Sequence, residues 1–72
     1  MISFTLRDDY IKLGQALKAA GLVASGVDAK MVILNGEVLV NGEVELQRGK
    51  KLYDGDMVSY NGEELVIKGK ES

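Results

Sequence analysis

No cysteine and no histidine occur in this chain. Disulfides and thiolate metal sites are thereby excluded. So are the commonest metal ligand and the usual general base of neutral-pH catalysis. Proline and tryptophan are absent too, and aromatics make up only 6% of the residues, three tyrosines and one phenylalanine. Long apolar runs are also missing, so no segment reads as a transmembrane span or a signal peptide. The expectation is a cytoplasmic protein with no membrane partner. Cations do not dominate: nine Lys and Arg stand against eleven Asp and Glu, a net charge of −2. Binding to a polyanion must therefore come from where the cations sit, not from their number. At 72 residues the chain is expected to form one domain over 1–72 with a small core.

What is present is a series of short, clearly punctuated elements. Ile2-Ser3-Phe4-Thr5-Leu6 alternates apolar and polar residues as a strand does. Tyr10, Leu13, Leu17 and Ala20 recur at helical spacing, with Asp8 and Asp9 as candidate caps and Gly21 as the stop. Gly14 inside that helix costs roughly 1 kcal/mol against Ala, which implies either a close approach there or a tolerated imperfection. Ser25 and Asp28 have capping-box spacing for a second helix over Gly26–Leu34, with Ala29, Val32 and Ile33 on one face. Strands then follow at Glu37–Asn41, from Val44 through Leu46, at Met57–Tyr60 and at Leu65–Ile67. Asn41-Gly42 and Asn61-Gly62 give hairpin turns. The order β-α-α-β-β-β-β predicts an α+β fold, two helices on a small, mostly antiparallel sheet.

Several residues fall at the places of a known pattern. Lys12-Leu13-Gly14, Gly21-Leu22 and Ser25-Gly26 come first. Ala29 and Ile33 lead into Gly36-Glu37-Val38-Leu39-Val40-Asn41-Gly42, then Lys50-Lys51-Leu52 and Gly55-Asp56. In order and spacing this resembles the S4 RNA-binding domain, with a motif core over about 11–58. Two departures stand out: the family's Asp in the first helix is Gly14, and its Arg opening the second helix is Gly26. Ser25-Gly26 with Ala29-Lys30 resembles the small stand-alone bacterial branch of the family. The Gly26 change removes a fork-like phosphate donor that Lys does not replace.

The resemblance implies a non-catalytic protein that recognises structured RNA, ribosomal RNA foremost, through a basic face of two helices and a loop. Ribosomal proteins are further candidate partners, and the chain is expected to be a monomer without cofactor or metal. Lys12 and Lys30 would lie on the helices and Arg48, Lys50 and Lys51 on the loop. These five cations are expected on one face, with Glu37, Glu43, Glu45, Glu63 and Glu64 mostly elsewhere. Lys18 reads as a solvated helix residue, and Lys68 and Lys70 as a solvated tail. Tyr10 has core spacing, so no aromatic stacking surface is expected and recognition should go by shape and phosphate. Asp54 and Asp56 flank a turn glycine, which argues against catalysis there.

Two other classes fit parts of the chain. A protein-interaction module of the same fold that has lost RNA affinity would suit the acidic composition and Gly26. The hairpin VLVNGEVEL with LYDGDMVSY also resembles sulfur-carrier β-grasp proteins, whose chemistry needs a terminal Gly-Gly; Lys70-Glu71-Ser72 does not supply it.

Overall fold

The computed structural model describes residues 1–70; the Glu71-Ser72 end, on which the sulfur-carrier reading turns, lies outside the described residues. In chain order the elements are β1 (Ile2–Thr5), β2 (Ile11–Lys12), α1 (Leu13–Ala19), α2 (Gly26–Leu34), β3 (Val38–Val40), β4 (Glu43–Val44), β5 (Lys51–Leu52), β6 (Met57–Tyr60) and β7 (Glu63–Lys68). Five strands form one sheet in the order β1-β7-β6-β3-β4. The β1–β7 pair is parallel, from Ile2 opposite Leu65 to Thr5 opposite Lys68; the other pairs are antiparallel. Asn41 and Asn61 both adopt φ 52°, and Gly42 and Gly62 follow at 86° and 79°. These are the left-handed pairs of type I′ turns, whose twist matches the strands they join.

Apolar side chains from every layer meet in one core. Leu13, Ala16 and Leu17 of α1 join Ala29 and Ile33 of α2, Leu52, and the inward residues of the sheet, among them Val38, Val58, Leu65 and Ile67. Ile2, Phe4 and Val32 pack half-buried against it. At the start of α2, Ser25 is extended (φ −151°) and its Oγ accepts the Asp28 N–H at 3.2 Å. The reciprocal half of the capping box, from the Ser25 N–H to the Asp28 carboxylate, is not formed among the described residues. Ser25→Ala is expected to cost about 1 kcal/mol in a urea melt through the lost cap.

The first helix differs from its expected form. Ile11 and Lys12 are held extended by β5, with Ile11 opposite Leu52 and Lys12 opposite Lys51, so the helix opens at Leu13 rather than Tyr10. Asp8 and Asp9 therefore cap nothing; the N-cap position is Lys12, without a side-chain bond. The cap comes from far along the chain instead. Leu13 N–H donates to Lys50 O at 2.8 Å, and Gly14 N–H to Arg48 O at 3.1 Å. Tyr10, outside the helix, is 37% exposed and not in the core. The strand expected through Leu46 stops at Val44 and leaves Leu46 exposed. Lys68 closes β7 rather than lying in a tail.

A polar clamp ties the β3–β4 turn to the turn before β6. Asn41 Nδ2 donates to Asp56 Oδ1 at 3.0 Å, and Asn41 Oδ1 accepts the Met57 N–H at 2.9 Å. Asp56 Oδ2 accepts the Tyr53 N–H at 2.7 Å. Asp56→Ala removes both carboxylate bonds and should destabilise the fold by about 1–2 kcal/mol, read from denaturant midpoints.

Candidate nucleic-acid interface

The capping bonds from Arg48 and Lys50 carbonyls hold the 48–50 loop against the first turn of α1. Gly14 makes that approach possible. A Cβ at position 14 would stand 2.6 Å from Arg48 Cγ and 3.3 Å from Cδ, so the side-chain stem of Arg48 lies where any other residue would put its own. The glycine inside a helix, costly for the helix alone, thus leaves room for the Arg48 side-chain stem where it lies.

Between α1, the start of α2 and this loop lies a groove of about 400 Å³, lined by Lys12, Gly14, Gln15, Lys18, Gly26, Arg48 and Gly49. Three cations line it and, among the described residues, no carboxylate does. Gly26, the first residue of α2, forms one wall of it, at the positive end of the helix dipole. Asp28, the acidic residue of the first turn of α2, lines a different hollow with Met31 and Asn35. The one ion pair among the described residues joins Lys70 to Asp9 at 3.4 Å. The groove cations are therefore not neutralised from within the described chain.

Of the five expected site residues, the structure brings Lys12 and Arg48 together in this groove. Lys50 and Lys51 line a second depression of about 470 Å³, whose rim includes Glu43, Glu45 and Asp56. Glu43 and Glu45, expected away from the basic loop, share that depression with it, because the β3–β4 hairpin folds back beside the 50–53 segment. Lys30 stands exposed on α2 and lines neither hollow. Lys18, which reads from the sequence as merely solvated, lines the groove instead. The signal for it lies in the spacing: Lys18 is four residues after Gly14, so the two share a helix face.

The model of the S4 domain matches residues 4–68. This chain belongs to the S4 domain family. RlbA of Bacillus subtilis, a protein named for ribosome maturation, is 48% identical over 54 residues, covering 75% of this chain and 76% of its own. YbcJ of Escherichia coli, named for RNA binding, is 34% identical over 68 residues, 93% of this chain and 97% of its own. The solution structure of E. coli YbcJ, described as revealing an alfaL motif involved in RNA-binding, superposes with a TM-score of 0.73 at 33% identity. That match covers 94% of this chain and 87% of the other.

Gly26 lines the groove, and nothing lies within 4 Å of the place its Cβ would take. Arg48 enters the same groove from the opposite wall, over Gly14. The Asn-Gly and Gly-Asp elements of the pattern supply the Asn41–Asp56 clamp, a structural task. Among the described residues no group of three metal-ligating side chains forms around Asp54 and Asp56, and no helix is long and apolar enough to cross a membrane.

Proposed function

We propose that this S4 domain protein binds structured RNA, ribosomal RNA in particular, in the bacterial cytoplasm, and holds it without catalysing a reaction. The observation that carries the reading is the groove itself: in a chain of net charge −2, Lys12, Lys18 and Arg48 converge on one hollow that no carboxylate of the described residues lines. Such a groove suits a phosphate backbone, with Arg48 offering a bidentate fork and Lys12 and Lys18 further charge. The names of RlbA and YbcJ support the same reading and suggest a place in ribosome maturation. Binding and positioning, as a monomer, is then the whole of the activity.

A second reading is favoured by one observation. Val27, Met31 and Leu34 are 68, 57 and 60% exposed and follow one stripe of α2, as a protein-docking helix would present them. Salt separates the two. Three phosphate contacts give a log–log slope near −3, so affinity for a ribosomal RNA hairpin should fall about 50-fold between about 50 and 200 mM salt. No binding at low salt, measured by fluorescence anisotropy, would overturn the RNA reading and leave the apolar stripe as the functional surface.

A further inference from the structure

We propose that Tyr10 and Tyr53 form a stacking site for one unpaired RNA base beside the phosphate groove; this rests on the RNA reading above and specifies the kind of RNA. The ribbon register sets the geometry. Lys12 opposes Lys51, and Ile11 opposes Leu52, so Tyr10 and Tyr53 come next in the same antiparallel register. Their ring centroids are 6.0 Å apart at 49°. Side chains alternate across a strand, which puts both lysines and both tyrosines on one face while Leu52 is fully buried on the other. Lys51 Nζ stands 4.9 Å from the Tyr10 ring centroid.

Nothing in the core requires this cluster. The tyrosines are 37% and 49% exposed, and they account for two of the four aromatic residues of the chain. An aromatic cross-strand pair adds about 0.2–1 kcal/mol to a short ribbon, but directly opposed lysines on the same face work against it. A ligand that uses both features reconciles them. The base stacks on the exposed Tyr53 ring beside Tyr10, and Lys12 and Lys51, two residues along the ribbon on the same face, meet its flanking phosphates. Lys12 also lines the groove, so the stacking site and the phosphate groove form one continuous surface.

The neighbouring depression fits the same occupant. Tyr53 lines it with Lys50 and Lys51, but so do Glu43 and Glu45. Carboxylates repel a phosphate, whereas they accept hydrogen bonds from the amino and imino groups of a base edge. The mixed charge that makes this hollow a poor phosphate site makes it a suitable base site. The RNA implied is therefore a helix interrupted by an extrahelical nucleotide, with backbone in the groove and the free base on the tyrosines.

The test compares two RNA hairpins that differ only by a single bulged 2-aminopurine. Wild-type protein should bind the bulged hairpin about tenfold more tightly than the uninterrupted one, with quenching of the 2-aminopurine emission. Tyr10→Leu/Tyr53→Leu should lose that preference and the quenching, yet keep the affinity and salt slope for the uninterrupted hairpin, which also shows that it folds. Tyr10→Phe/Tyr53→Phe keeps the rings and should behave as wild type. If wild type binds both hairpins equally, or the leucine variant still quenches, the stacking site is refuted while the groove stands. If neither hairpin binds wild type at low salt, the groove reading fails and the stacking site with it.

Discussion

A chain in which Lys12 and Arg48 are both replaced by glutamate is expected to lose at least about a hundredfold in affinity for structured RNA while melting at the parent temperature. Each hydrogen bond from a charged donor is worth about 1.5–3 kcal/mol, and two such losses amount to two decades or more at about 1.4 kcal/mol per decade. Both side chains are exposed, and the one ion pair of the described residues lies elsewhere, so folding should be spared within about 0.5 kcal/mol. The helix cap is also spared, because Arg48 contributes its backbone carbonyl to Gly14. Arg7→Glu/Lys68→Glu makes the same change in net charge at residues outside the groove and should weaken binding far less. Equal losses in the two variants would mean that overall charge, not the groove, governs binding. The salt slope offers an independent check, since it should flatten by about two in the groove variant alone.

What the sequence made legible was local. Asn41-Gly42 and Asn61-Gly62 announce their turns because the two-residue turn needs left-handed backbone at both positions. Ser25 announces α2 because its Oγ reaches an N–H only three residues on. Ala29 and Ile33 lie on the buried face as their spacing implies. What was illegible was set by residues distant in the chain. The start of α1 depends on carbonyls 34 to 37 residues later, at Arg48 and Lys50, and a search for a capping side chain nearby finds only Asp8 and Asp9. The β2–β5 ribbon has two residues on each strand, too few to show alternation, so Tyr10 reads as the first residue of a helical stripe instead of one member of a surface pair. Lys50 and Lys51 line a second hollow while Arg48 and Lys12 line the first, a partition set by how the loop folds and not by the spacing of the cations.

Ile33→Ala should be the most damaging single truncation on α2. Ile33 is fully buried, on the same face of α2 as Ala29, where the helices and the sheet meet. Removing three carbons from such a site costs about 2–5 kcal/mol, the transfer term plus a cavity that a close-packed core cannot fill. For a chain of 72 residues the whole stability is on the order of 4–11 kcal/mol, so this one change removes a large share of it and lowers the melting temperature by about 10–30 °C. Met31, two residues earlier and 57% exposed, provides the contrast: Met31→Ala should stay within about 0.5 kcal/mol. Calorimetric melts that place both variants together would overturn the core assignment. The functional consequence follows from the same packing. Gly26 is one wall of the groove, and Lys12, Lys18 and Arg48 form the rest, so the groove exists only while α2 is docked on α1. Below its lowered melting temperature, Ile33→Ala should bind RNA with near-parental affinity; above it, binding and helicity should vanish in one transition.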